Sequence, residues 1–394
     1  MADLITRNLL LLAKLESTEG TPNAPVAGDA ILAQSIAMKL QRDFHPRNYQ
    51  GRIGTGPGVL GAQTSPGLSF QAEIKGDGTT NTCELDAILT SGFGSVVAGT
   101  GDTTIGAGGA GSTTNLLVTS STNFTVGNMV MTELTSGGGY EVAMVTAIPD
   151  GTHVTVSPAL SGTPAAGVLI KEMRTHQVLV PPGSVNSVTA DVFYNADSGA
   201  SQFDRLVGAR FNCKWDSPRA GSIPLLTFDG IGWNWTQSTA GTRPTPTFDT
   251  ASPKAALATK LKVGGTLTDA FDISWDLGAK LVGRLSQNSP QGNGIIGTPV
   301  IDIAPSGSFT IHPAHTSVAQ FTGWTGETAI SLLQQNGNAL FGTVAWYCPA
   351  AQRTEVTRGD DSGVGTNVVK WQANTSANGL ATTGTDAPLY LAVG

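Results

Sequence analysis

Apolar and polar positions alternate with a period of two, or β-branched residues cluster, in short runs along almost the whole chain: residues 31–40, 68–74, 188–194, 209–215, 225–235, 257–263, 270–277, 309–312, 340–347, 368–373 and 389–393. Period two puts successive side chains on opposite faces of an extended backbone, so each run predicts a strand. Glycine, proline, asparagine and aspartate punctuate the gaps, as turns require. Helical spacing is scarce. It occurs at 82–92, where Leu85, Ile88 and Leu89 share a face, and at 325–337, where Ile330 and Leu333 do; both segments end at glycine. The pattern predicts a mainly β chain with two short helices.

Short phrases recur in one order. "PGLSF" (66–70) matches "PSGSF" (305–309), each ahead of a predicted helix; then "VFY" (192–194) matches "AWY" (345–347), "VGARFNCKW" (207–215) matches "VGTNVVKW" (364–371), and "PLLTFDG" (224–230) matches "PLYLAVG" (388–394). Ordered matches predict a duplicated unit, the first copy spanning 1–98 and 173–250 and the second 251–394. Residues 99–172 have no counterpart. They open on a glycine-rich stretch and continue as short strand patterns with their own turns, which predicts a small outward-facing β barrel or sandwich inserted in a loop of the first copy.

Composition narrows the function classes. A chain of 394 residues can bury a substantial core. Charged residues are only 13% and the net charge is −7, with no run of Lys and Arg, which argues against a protein that grips phosphate backbones. Cys83, Cys213 and Cys348 lie far apart, without the pairing a zinc cluster or disulfide framework needs. The apolar run 9–13 is too short for a signal segment and is broken by Lys14. Cytoplasmic synthesis is the expectation.

Candidate chemistry is thin. "GAGGAG" (106–111) has the spacing of a dinucleotide loop but leads into strand-like sequence, so it reads as a linker. His312 and His315 are split by Pro313, which prevents helical alignment, and have no third ligand nearby in sequence. "RGDD" (358–361) reads as a solvated charge cluster. No nucleophile with a base partner emerges, so no catalytic residue, metal or cofactor is expected. Two long Gly/Pro-rich, weakly basic segments, 42–66 and 278–299, stand between the first two strands of each copy. Long segments of this kind in compact domains are commonly functional. Their candidate contact residues are Arg42, Arg47, Tyr49 and Arg52 in the first and Lys280, Arg284 and Gln287 in the second.

With these features, the segments "LLLLAKLESTEGTPNAPVAGDAILAQSI", "SPGLSFQAEIKGDGT" and "LVGARFNCKW…SIPLLTFDGIGW" resemble the major tail tube proteins of long-tailed bacteriophages, over roughly residues 9–95 and 176–394. The resemblance implies two tandem β-sandwich units, each with a short helix, in which one sheet joins neighbours into a closed inner barrel and a long loop reaches the next ring. It implies a structural virion protein, assembled in the host cytoplasm, whose partners are further copies of itself, the tape-measure, terminator and distal tail proteins, and double-stranded DNA passing without tight binding. The doubling departs from the simplest members and implies rings of three chains with pseudo-sixfold symmetry, hexameric rings being the alternative. The segments 42–66 and 278–299 would then lie where successive rings meet. Another virion component such as a decoration protein, a secretion-type tube protein, or a carbohydrate-binding β protein would share the strand-rich composition; the last should cluster exposed aromatics with carboxylates, whereas the seven Trp here fall mostly within strand patterns.

The charge balance carries a prediction of its own. Duplex DNA should bind the purified protein no more tightly than micromolar at physiological salt, checked by fluorescence anisotropy; sub-micromolar affinity contradicts it.

Overall fold

A computed structural model describes residues 4–46, 59–76, 82–107, 111–179, 186–196, 201–216, 221, 223–239, 242–249, 252, 259–312, 319–374 and 386–394. The first part of the chain forms β1 (Leu4–Leu15), β2 (Ala30–Ile31), β3 (Ala33–His45), β4 (Val59–Glu73), helix α1 (Asp86–Phe93) and β5 (Gly94–Val97). Next come β6 (Asp102–Thr104), β7 (Asn115–Leu117), β8 (Met129–Glu133), β9 (Tyr140–Asp150), β10 (His153–Ser157), β11 (Leu169–Glu172) and β12 (Arg174–Val178). Strands β13 (Val188–Ala196), β14 (Ser201–Asp216), β15 (Leu225–Ile231) and β16 (Asn234–Ser238) close the first half. The second half runs β17 (Lys260–Val263), β18 (Thr266–Thr268), β19 (Ala270–Asp276), β20 (Ala279–Leu281), β21 (Val300–Ile303), β22 (Ser306–Ile311), α2 (Ala319–Thr325), β23 (Ile330–Asn336), β24 (Val344–Asp361), β25 (Val364–Ala373) and β26 (Tyr390–Val393). The protein is mainly β.

Strand pairing repeats. In the first half, β2–β1–β13–β14–β16 makes one antiparallel sheet and β3–β4–β15–β14 another. In the second, β18–β17–β23–β24–β26 and β19–β22–β25–β24 reproduce both orders. The long strands β14 and β24 each cross from one sheet to the other. β14 turns at Gly208, whose φ of +67° suits a residue without Cβ and whose missing Cβ leaves room for Trp233. The buried Glu16 carboxylate fixes this bend, accepting hydrogen bonds from the Gly208 amide at 2.8 Å and from the Ser187 and Thr189 hydroxyls at 2.6 and 2.8 Å. β24 makes the same change around Pro349, which has no amide hydrogen to give a ladder. Even a bulge is repeated: β3 shifts register at Ser35 (φ +53°) and β19 at Asp272 (φ +51°).

Three expectations are corrected by these pairings. Residues 330–336, expected within a helix, are strand β23, and the second helix lies earlier, at Ala319–Thr325. Leu332 enters the main core while Leu333 enters a second cluster on the opposite face, so both faces of β23 are covered and its alternation is erased. The phrase matches after the helix are therefore displaced by one strand: "VGARFNCKW" lies on β14 but "VGTNVVKW" on β25, which corresponds to β15. Only "PGLSF" and "PSGSF" lie on equivalent strands, β4 and β22. Finally, much of 42–66 is strand, because β3 and β4 stay paired out to His45 and Val59. An unanticipated strand, β1, has the same origin as β23. Leu11 joins the main core while Leu10 and Leu12 pack with Phe193 on the other face.

Both halves share one core, centred on tryptophan. Trp346 stacks on Trp215 of the first half and Trp275 of the second, each at 5.8 Å between ring centres, and Trp275 meets Trp371 edge-on at 4.8 Å. Phe93 from α1 also meets Trp346, with ring centres 6.1 Å apart and the planes tilted by 44°. Helix α1 ends at Gly94, whose φ of +97° makes a left-handed cap, and buries Ile88, Leu89 and Phe93 beneath β14.

The segment between β5 and β12 is a six-stranded sheet, β6–β11–β8–β9–β10–β7, closed into a small barrel by the Ile105–Val118 bridge, with its own core around Val130, Val145 and Ile170. Its stalk strands β5 and β12 pair with each other, and β12 continues the second half's sheet through β26. Met129, Met131, Met144 and Met173 pack against Leu333, Tyr347 and Tyr390 of the second half. Around that patch Glu141 meets Lys260 at 3.1 Å and Lys262 at 3.4 Å, and the Gln335 side chain donates to the Tyr140 carbonyl at 2.8 Å. The barrel thus leaves the chain in the first half and docks on the second. Burial by itself would raise the Glu141 carboxyl, but hydrogen bonds from Ser161 and the two ammonium groups outweigh it and hold it at about 2.

Two outcomes are expected. Trp346→Ala should cost about 3–5 kcal/mol of stability and lower both halves in one transition, read by urea unfolding; two separate transitions would show that the halves fold apart. Because the folded Glu141 titrates near 2 against an ordinary 4.5, its contribution is complete above about pH 4.5 and is lost as pH falls toward 2. Proteolysis of the barrel stalk should therefore accelerate through that window, and Glu141→Gln should show the acid pattern already at neutral pH.

Candidate functional site

The two sheets shared by β14 and β24 do not end at the boundary between halves. β14 also pairs with β19, with Lys214 opposite Asp276, Trp215 opposite Trp275 and Asp216 opposite Ser274. One continuous antiparallel sheet of eight strands results, in the order β3–β4–β15–β14–β19–β22–β25–β24. One of its faces carries Leu68, Phe70, Phe228, Trp215 and Trp371 into the shared core. The other is polar and largely open, presenting Lys39, Gln71, Lys214, Asp229, Asp276 and Lys370, with β20 against it at Asn212, whose side-chain oxygen accepts from the Ala279 amide at 2.9 Å. Two of the three lysines there are matched by carboxylates: Lys214 to Asp276 at 3.1 Å and Lys370 to Glu355 at 2.8 Å. A shallow groove on this face is lined by Ala37, Lys39, Ser69, Asn212, Lys214 and Asp229.

Both ends of the sheet are open among the described residues. β3 pairs with β4 only, and β24 beyond Arg353 pairs with β25 only, helix α2 reaching the start of that edge, where the Trp324 indole donates to the Thr354 carbonyl at 3.3 Å. Each leaves a row of backbone donors and acceptors facing outward. Leu40 and Phe44 on β3 are 41% and 58% exposed, where an isolated globule would place polar groups. Such an edge is a template for another strand. The β3–β4 hairpin projects from one end of the sheet; the β24–β25 hairpin, with Asp360 and Asp361 beside its turn, projects from the other, because neighbouring strands alternate in direction.

The expected contact residues are dispersed. Arg42 lies exposed on β3 opposite Gln63. Arg47, Tyr49 and Arg52 lie outside the described residues. Lys280 is on β20, paired with Asp302 of β21. Arg284 exchanges backbone hydrogen bonds with Gly297 and Ile296, and Gln287 lines a groove with Leu285 and Asn293. The 278–299 segment is not a free arm. It folds across the first half, where the Trp233 indole donates to the Ile295 carbonyl at 2.7 Å and Arg210 donates to the Thr298 carbonyl at 2.8 Å. Glu19 is raised by burial but held below the ordinary carboxylate range by Arg210, the Thr298 amide and, more weakly, Arg284. Nothing in the linear sequence marks Lys39, Glu355 and Thr357 as edge residues. The alternation of 31–40 revealed a strand there, but only pairing shows which strand is last.

Conventional chemistry is sparse. No group of three or more His, Cys, Asp or Glu is placed to hold a metal among the described residues. Burial raises all three thiols, that of Cys348 to about 12, so none is a ready nucleophile. His312 stacks on Phe271 at 4.6 Å, and His315 lies outside the described residues. Arg358 of the "RGDD" cluster lies over the Phe321 ring of α2. No protein-family model matches the chain, and no curated protein matches it. No helix among the described residues is long and apolar enough to cross a membrane.

Proposed function

We propose that this chain is the structural subunit of a hollow tube, assembling head to tail through its two open sheet edges, and that the tube is the tail of a long-tailed bacteriophage through which DNA passes. One observation carries the reading: the two halves are already joined edge to edge by β14–β19, and the edges left open, β3 and β24, are the counterparts of β19 and β14. The operation that places the second half beside the first can therefore be applied again. A heterologous contact of this kind closes into a ring or runs on as a helix. Closure pairs every edge strand.

Eight strands per chain suit a small ring. Three chains supply about 24 strands which, spaced about 4.8 Å and tilted about 40°, give a circumference of about 150 Å and, inside the side chains, a channel of about 35–40 Å. The polar face would line that channel, with Lys214 and Lys370 already held by carboxylates. Duplex DNA, roughly 20 Å across with grooves about 8 Å deep, would pass without being gripped. The barrel docked on the second half's outer sheet would then sit outside, one per chain. Such a protein would act in the virion, with no catalytic step.

Purified protein, examined by negative-stain and cryo-electron microscopy, should form tubes of about 35–40 Å bore with three chains per ring. Six chains per ring would overturn the threefold reading, and failure to polymerise at any protein concentration or salt would overturn the function.

A further inference from the structure

The repeated register allows the contact between chains to be written residue by residue, and this rests on the ring-forming reading above. The matched bulges at Ser35 and Asp272 align β3 with β19, so that Ala37, Met38 and Lys39 take the places of Ser274, Trp275 and Asp276. Alignment of β14 with β24 follows from their partners. Asn212 and Lys214 lie opposite Asp229 and Thr227 of β15, which lie opposite Ser69 and Gln71 of β4. Glu355 and Thr357 lie opposite Lys370 and Val368 of β25, which lie opposite Ser308 and Thr310 of β22. Since Ser69 and Gln71 correspond to Ser308 and Thr310, Glu355 stands for Asn212 and Thr357 for Lys214.

We infer that β24 of one chain pairs antiparallel with β3 of a second copy, with Thr357 opposite Lys39, Arg358 opposite Met38 and Gly359 opposite Ala37. The junction inside the chain supports this on chemistry as well as geometry. There Asp276 is held by Lys214 at 3.1 Å and by the Asn212 amide group, two residues away along β14, at 3.1 Å. In the junction between chains the central group becomes the Lys39 ammonium, and the residue in the Asn212 place is the Glu355 carboxylate. The central charge is reversed, and the Lys214 place is taken by the neutral Thr357. The opposite charge now comes from the Asn212 place, where the Glu355 carboxylate, already 2.8 Å from Lys370, can also face Lys39, leaving an attractive contact in both junctions. The exposed Leu40 is placed opposite Val356, where Leu277 stands beside Cys213 within the chain. The occupant of each open edge is therefore the other edge of an identical chain, in one register.

Cysteine pairing tests the register, because residues directly opposite in an antiparallel ladder have Cα atoms about 4.5–5.5 Å apart, within disulfide reach. The native thiols are buried and should stay silent. Lys39→Cys with Thr357→Cys in one chain, assembled and then oxidised, should give covalent dimers and trimers and nothing larger on non-reducing gels. Lys39→Cys with Arg358→Cys, displaced by one residue, should not cross-link, because the two side chains point to opposite faces. Independently, Lys39→Glu should raise the critical concentration for assembly by about two- to fivefold at low salt, and adding Glu355→Lys should recover part of it. Tubes of the 39/357 variant that do not cross-link, or in which the displaced pair links as readily, overturn this register and leave the tube reading standing. A wild-type chain that never assembles overturns both.

Discussion

The β14–β19 ladder is the contact on which the rest of the structure depends. It is short, three residue pairs, but it converts two half-sheets into one sheet of eight strands. Side chains on its core face, Trp215 and Trp275, stand opposite each other, and Trp346 stacks on both. Pairing and packing therefore enforce the same geometry. Backbone hydrogen bonds fix the spacing of the halves, while the indole stack resists the sliding that a flat polar ladder would tolerate. The same ladder leaves β3 and β24 as the ends of the sheet, which makes the halves' junction also the template for a junction between chains.

A second constraint comes from the inserted barrel. Its covalent entry is in the first half, yet its methionine-rich face rests on Leu333, Tyr347 and Tyr390 of the second, and its stalk strand β12 extends that half's sheet. Methionine's flexible, polarisable side chain suits a surface that must fit two independently shaped elements. The Glu141–Lys260–Lys262 cluster adds a polar clamp at the rim. The barrel consequently braces the two halves against each other. Its removal would uncover an apolar patch on the second half.

Much of the site was hidden in the linear chain for one reason. An edge is not a property of a strand; it is a property of a strand's neighbours. Residues 31–40 showed the alternation of a half-buried strand, and nothing in that pattern separates a strand with two partners from one with a single partner. The charge reversal between Asp276 and Lys39 is equally silent until the matching bulges align the two strands. Basic residues in the long segments are conspicuous because charge is visible in sequence. Arg284 instead lies within a segment folded back onto the first half, near enough to Glu19 to lower its titration.

The sequence by itself determined that the protein is mainly β, that most of its strands lie where period-two runs occur, that a short helix lies near 82–92, although α1 runs past Gly92 to its cap at Gly94, and that residues 99–172 stand apart from the repeated pattern. Those features are local: alternation, turn chemistry and capping act over a few residues. It misjudged β1 and β23, whose two faces are both covered, so that Leu10–Leu12 and Leu332–Leu333 are buried in succession without a period. Reading β23 as a helix in turn shifted the matching of the halves by one strand. Which strands correspond, which lie at the edge, where the barrel docks and how 278–299 folds were decided only by tertiary structure, because each depends on hydrogen-bond partners and packing surfaces brought together from distant parts of the chain.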